Sequence, residues 1–152
     1  MRRATPADLD RLWPLLDQYY TEWDIWQRDT REQALADLER VAPFGFIVAE
    51  RGLKLAGCVL LRPLTIVNSA ECKRLFVAPG FRGHGIASEL MDYAEFLAAA
   101  HGVMHMYLDS KPEFVAALAL YRRRGYEACA RYNDNAQATF FFRKHLRSPL
   151  DR

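Results

Sequence analysis

The residues best able to do chemistry lie between Glu71 and Leu90, in the run ECKRLFVAPGFRGHGIASEL. Within it, Arg82-Gly83-His84-Gly85-Ile86-Ala87 sets one arginine and two glycines ahead of an apolar stripe, in which Ile86, Leu90, Tyr93, Ala94, Leu97 and His101 recur at steps of three and four. That period predicts a helix over about 84–101. The first turn of a helix has free N–H groups and a partial positive charge. Glycines let an anion approach the backbone, and Arg82 adds a formal charge. The chemistry implied is the capture of a phosphate. Two common phosphate binders do not match. No lysine followed by Ser or Thr stands where a P-loop needs it. Gly80-x-x-Gly83-x-Gly85 also lacks the spacing of the dinucleotide fingerprint.

The elements that must position this turn follow from pattern. Cys72–Val77 alternates and is rich in apolar residues, so it reads as a strand stopped by Pro79-Gly80. Upstream, Thr5-Pro6 suits the start of a helix carrying Leu9, Leu12, Trp13, Leu16 and Tyr20 on one face, with room before it for only a stub of strand. Asp29 or Thr30 caps a second helix to about Arg40, with Ala34, Leu35 and Leu38 inward. Phe44–Glu50 and Lys54–Arg62 form a hairpin around Arg51-Gly52. Downstream, Gly102 ends the long helix and Val103–Asp109 is a strand parallel to the one before that helix. A helix from Pro112 to Arg124 follows, then strands at 126–132 and 139–144 joined by Asn133-Asp134-Asn135. The fold class is α/β, with a mixed, mostly antiparallel sheet and helices on both faces.

Composition bounds the rest. The chain has 152 residues, 51% apolar and 26% charged, which predicts a single domain over 1–152 with a sizeable core. A net charge of +2 gives no pull toward nucleic acid or membrane. No apolar run is long enough to span a bilayer, and Met1–Pro6 lacks the character of a signal peptide. Cys58, Cys72 and Cys129 sit in apolar segments and read as free thiols of a reducing cytoplasm. No spacing suits a metal, and none is expected. Edge strands and Phe140–Phe142 raise a homodimer as a possibility, although the three rings could equally pack within the chain.

Arg82-x-x-Gly85-x-Ala87, preceded by Lys-Arg-Leu-Phe-Val-Ala-Pro and followed downstream by Leu120-Tyr121-Arg-Arg-Arg-Gly125-Tyr126, resembles the acetyl-coenzyme A signature of the GNAT superfamily of N-acetyltransferases. The resemblance runs from about Arg2 to Leu146 and implies that family's splayed parallel strand pair. It implies acetyl-CoA as acyl donor, gripped by Arg82, Gly83, His84, Gly85, Ile86 and Ala87 at the pyrophosphate. The backbone of Leu75, Phe76 and Val77 would hold the pantetheine arm beside a strand bulge. Tyr121 becomes the acid that protonates the departing thiolate, since a phenol with a pKa of about 10 is protonated at neutral pH. Glu71 becomes the base for the amine; a salt bridge with Lys73 or Arg131 is the competing reading.

Phe114 departs from the pattern, standing where the family often has an asparagine, so that residue's hydrogen bond to the pantetheine is either lost or made by Ser110 or Lys111. Trp23, Trp26, Asp109 and Asn133 are acceptor-side candidates, with helix packing as the alternative for the tryptophans. Cys72 has no histidine nearby in sequence to activate it, so direct transfer is expected over an acyl-cysteine. The reading is acetyl transfer to a small-molecule primary amine. The alternative is a GNAT-fold coenzyme A sensor without catalysis.

Overall fold

The computed structural model describes residues 1–147; residues 148–152, the end of the expected single-domain span, lie outside the described residues. The chain runs β1 (Arg2–Arg3), α1 (Leu9–Glu22), α2 (Arg31–Leu38), β2 (Gly45–Arg51), β3 (Lys54–Pro63), β4 (Ser69–Val77), α3 (Ile86–Ala100), β5 (His105–Ser110), α4 (Val115–Arg123), β6 (Glu127–Ala128) and β7 (Phe140–His145). The strands form one sheet in the order β1-β2-β3-β4-β5-β7-β6. Every neighbouring pair is antiparallel except β4–β5, the parallel pair that the α3 crossover demands. No described helix is long and apolar enough to cross a membrane.

Both faces of the sheet are covered, which is why Phe46–Ala49 and Leu55–Leu61 are almost continuously apolar rather than alternating. One core joins Ile47, Val59, Leu61, Cys72 and Met106 to Ile86, Leu90 and Met91 of α3 and to Leu118 and Tyr121 of α4. The other joins Phe46, Val48, Cys58, Leu60 and Phe76 to Leu12, Leu16, Tyr19 and Tyr20 of α1 and to Ala34 and Leu38 of α2. The buried stripe of α1 is wider than its sequence period suggests, because Leu15 and Tyr19 also face the sheet.

Three boundaries differ from the sequence pattern. Helix α3 begins at Ile86 because Gly83 and Gly85 take φ of +83° and +77°, outside the right-handed helical region. Helix α4 begins at Val115 because Lys111–Phe114 forms a turn first, the Phe114 N–H donating to the Lys111 carbonyl at 3.2 Å. The strand expected over 126–132 is only Glu127–Ala128. There the Arg131 guanidinium lies over the Phe141 ring at 4.5 Å and donates to the carbonyls of Asn133, Asn135 and Ala138, folding the segment into a loop. Phe141 and Phe142 are buried, and Phe140 stacks on Phe142, so these aromatics pack within the chain.

The short β1 is fixed by charge. Arg2 donates to both Asp8 oxygens at 2.8 Å, and Arg11 and the Thr5 N–H donate to Asp8 as well. Hydrogen bonding from Arg2 holds the Asp8 carboxyl well below the usual carboxylate range, despite its burial. A lowered carboxylate pKa contributes stability present above the unfolded value of about 4 and lost as pH falls below it. Asp8→Asn is expected to cost about 2 kcal/mol, less than a fully buried pair because both guanidiniums are over a third exposed. Thermal unfolding should show a midpoint about 4–8 °C lower at pH 7. The gap between variant and parent should close as pH falls below about 4.

Candidate active site

The site begins where β4 leaves β5. Their ladder holds only at Ser69–His105, Ala70–Met106 and Glu71–Tyr107. Beyond Glu71 the strands part, and the β5-facing edge of β4 has no strand against it. On its other edge β4 stays paired to β3, but with an irregularity: Cys58 opposes Phe76 and Leu60 opposes Lys73, so two residues, Arg74 and Leu75, face only Val59. Arg74 carries the strain of this bulge at φ +59°. The bulge reorders the side chains. Leu75 packs with the α3 core and Phe76 with the α1 core, while Lys73 and Arg74 are both turned to the α1 side. There Lys73 opposes Leu60, and Arg74 lies over Tyr20 at 5.6 Å.

A cleft of about 850 Å³ fills the gap. Its floor is Cys72–Val77 of β4, with Asp109 and Ser110 of β5 across from it. Gly57 of β3 permits the close packing beneath, since a Cβ there would stand 2.7 Å from the Phe76 carbonyl oxygen. At one end lie Arg82, Gly83, Gly85, Ile86, Ala87 and Ser88. The first backbone bond of α3 runs from the Glu89 N–H to the Gly85 carbonyl, so the N–H groups of Ile86, Ala87 and Ser88 precede the helical ladder. The only acids lining the cleft, among the described residues, are Asp29 and Asp109. These features fit an anionic, phosphate-bearing ligand. Arg82 is engaged in shaping the turn. Its Nε donates to the Val77 carbonyl at 2.9 Å, its Nη2 to Glu22 at 2.6 Å, and its plane lies over Phe76. His84 is exposed and is not among the lining residues.

Tyr121 reaches the middle of the cleft from α4 and is 7% exposed. Burial raises its pKa well above that of a free phenol, so the group is a neutral acid. Burial likewise raises the Cys72 thiol, and Tyr19 is pushed up to about 12 by the same cause. Ser110 lines the cleft and donates to the Lys111 carbonyl at 3.1 Å. Phe114 packs edge-on against Trp23 at 4.8 Å, and both line the cleft. Lys111 also lines the cleft, and its Nζ donates to the Trp23 carbonyl at 2.6 Å. Of the three arginines after Tyr121, Arg123 lines the cleft, Arg122 lies over Phe140 and Phe142, and Arg124 pairs with Asp92 and Glu95.

The remaining candidates divide. Asp109 lines the cleft, and its Oδ2 accepts from Lys73 at 3.3 Å, Asn133 at 2.7 Å and Asn135 at 3.2 Å. Glu71 lies behind this layer. It is buried, accepts from Asn133 at 3.1 Å and sits 3.6 Å from Lys73, but is not a lining residue. Trp26 is 67% exposed and, like Asn133, does not line the cleft. Sequence reading missed Arg62, Arg74 and Gln137. Gln137 straps two walls together, its Nε2 donating to the Asp24 carbonyl at 2.8 Å and its Oε1 accepting from the Trp26 N–H at 2.8 Å. The only sequence signal for Arg74 is two adjacent cations, Lys73 and Arg74, inside an otherwise apolar strand.

Known proteins place this geometry. A profile described as the acetyltransferase (GNAT) family matches residues 9–126. An "IAA acetyltransferase" of Azospirillum brasilense is 33% identical over 113 residues, 73% of this chain and 71% of that protein. A crystal structure of the ribosomal-protein-alanine N-acetyltransferase of Brucella melitensis superposes with a TM-score of 0.76 and 27% identity, over 95% of this chain and 98% of that one. The PaiA N-acetyltransferase of Thermoplasma acidophilum, in complex with coenzyme A, has a TM-score of 0.78 over 95% and 96% of the two chains; at 19% identity it speaks for the fold alone.

Because Gln137 holds the wall carrying Trp23 without touching the phosphate end, Gln137→Ala should separate the two halves of the site. Michaelis constants should rise several-fold for the acceptor and stay level for the acyl donor, with kcat within about twofold. Equal rises for both would show that the strap supports the whole cleft.

Proposed function

The chain belongs to the acetyltransferase (GNAT) family, and on that premise we propose that it moves an acetyl group from acetyl-CoA to the primary amine of a small molecule, by direct attack with both substrates bound. The observation that carries this reading is the parting of β4 from β5 beside the bulge. It frees one edge of β4 in line with the open helix terminus of α3. Acetyl-CoA, when bound, supplies an activated thioester.

The chain's residues then do four things. The N–H groups of the first turn of α3, with Gly83 and Gly85, bind the pyrophosphate, and Arg82 keeps that turn in shape. The peptide groups of Leu75, Phe76 and Val77 hold the pantetheine arm as an added strand, and an N–H near Phe76 or Val77 stabilises negative charge developing on the carbonyl oxygen. Ser110, close to the same edge, takes the place of the asparagine that Phe114 replaces. Tyr121, a phenol lining the cleft and protonated at neutral pH, donates its proton to the departing thiolate.

The amine needs a proton acceptor. Asp109 meets it in the cleft, and Glu71 lies behind that carboxylate, linked to it through Asn133. Trp23 bounds the acceptor space. A buried Cys72, held as a thiol, supports direct transfer over a covalent acyl-enzyme. A non-catalytic coenzyme A sensor is the second reading, supported by Phe114 at the family's asparagine position and by the two-residue β1.

Acetyl-CoA at about a hundred times its dissociation constant should stabilise the protein by about 2.7 kcal/mol, a rise of roughly 5–10 °C in the unfolding midpoint. Tyr121→Phe should keep that rise and lower kcat about 100-fold, as removal of a general acid does. An unchanged kcat would remove Tyr121 from the chemistry. No thermal shift at millimolar acetyl-CoA would remove the acetyl-transfer reading altogether.

A further inference from the structure

The acceptor end of the cleft is cationic, which is unexpected for a pocket that takes an amine. Arg28, Arg62 and Arg74 all line it, together with Asp29, Gln27 and Gln33. The arginines come from three different elements. The bulge turns Arg74 out of strand alternation onto the face that Arg62 already occupies, and the loop before α2 brings Arg28 and Asp29 over both.

Their charge is poorly matched by the protein. Arg62 donates to Asp29 at 3.1 Å and to Asp37 at 2.9 Å. Among the described residues, Arg74 pairs with the same Asp29 oxygen, at 3.3 Å, and lies over the ring of Tyr20. Asp37 is further committed to Arg40 at 2.8 Å. Among the described residues Arg28 reaches no carboxylate: its donors go to the carbonyls of Ile25 at 3.0 Å and Tyr20 at 3.3 Å. Arg62 and Arg74 therefore share Asp29 and Asp37, the latter also divided with Arg40, and Arg28 adds a third charge beside them. Arg74 is also the costliest to place. Its side chain is 11% exposed, its Nε is sealed from solvent without a partner, and its backbone is left-handed. Burying an incompletely paired charge is costly, and a left-handed backbone at a non-glycine residue adds strain. A planar fork of donors facing a cleft is the usual receptor for a carboxylate.

We propose that the acceptor carries a carboxylate beside its amine, as an amino acid does, and that Arg74 with Arg62 and Arg28 binds that carboxylate. This rests on the acetyl-transfer reading and names its substrate class. One negative charge offsets the surplus at this end. Across the cleft, Asp109 takes the ammonium end of the same molecule, so the pocket is polarised to match a zwitterion. The pocket thereby rejects polyamines and peptide N-termini, whose attacking amine has no free carboxylate beside it.

The test compares acids with their amides. N-acetyl-L-amino acids and the matching N-acetyl-L-amino acid amides are titrated calorimetrically into protein saturated with coenzyme A, and the free L-amino acids and their amides are assayed for acetyl-CoA-dependent thiol release. At least one acid should bind about 30-fold or more tightly than its amide, the effect of one charge-assisted hydrogen-bonded pair, and should be the better substrate by a similar factor. Arg74→Gln should erase the difference while keeping the thermal shift with acetyl-CoA. Arg62→Gln serves the same purpose if Arg74→Gln does not fold. Amides that bind as well as acids, or a panel in which neither binds, would overturn the proposal. Loss of the acetyl-CoA shift in the unaltered protein would instead overturn the acetyl-transfer reading on which it stands.

Discussion

Everything in the cleft depends on two neighbouring strands that cannot stay paired. Parallel strands separated by a helix-long crossover share a ladder only as far as their twists agree. Here the ladder ends after Glu71–Tyr107. The bulge opposite Val59 hastens the departure by bending β4 on its other edge. A backbone edge without a partner inside a protein is normally a liability. In this fold it becomes the place where a ligand can complete the sheet, and the two cores exist to hold it open. One core anchors α3, whose N-terminus faces one end of the gap. The other anchors α1 and α2, which roof the opposite end.

The two ends differ in electrostatic logic. The α3 end uses backbone, with glycines and unpaired N–H groups in place of charge, and the single arginine there is occupied with Val77 and Glu22. The opposite end uses full charges in close contact: Arg62, Arg74, Asp29 and Asp37 on one side, Lys73, Glu71 and Asp109 on the other. Backbone donors suit a ligand whose chemistry is fixed, since they cannot be changed by substitution. Side-chain charges suit one that differs between relatives. The two ends of the cleft therefore differ in the kind of atom they present to a ligand.

How much of this could be read in the sequence follows the range of each interaction. The turn at Arg82–Ala87 and the helix after it were legible because glycine punctuation and a 3.6-residue period are local. So were the hairpin, the capped α2 and the stub of β1. The Lys73–Glu71 salt bridge was also readable, being two residues apart in a strand. Arg74 was not, because strand alternation aims it at α3 and only a bulge, set by pairing with β3, turns it toward α1. The short β6 was hidden for a similar reason: Arg131 withdraws the segment through contacts with carbonyls and a ring that no period reports. Trp26 shows the opposite error. Its aromatic type suggested a pocket wall, yet its backbone N–H makes the contact with Gln137 and its ring faces outward.

The strap made by Gln137 spans 113 residues of sequence to reach Asp24. Contacts of that separation form late, because the chain between them must be ordered before they repay its loss of freedom. The pieces of the phosphate turn, by contrast, lie within some twenty residues of one another. The two ends of the cleft therefore depend on contacts of different range: one is closed by neighbours in sequence, the other only when segments near opposite ends of the chain are brought together.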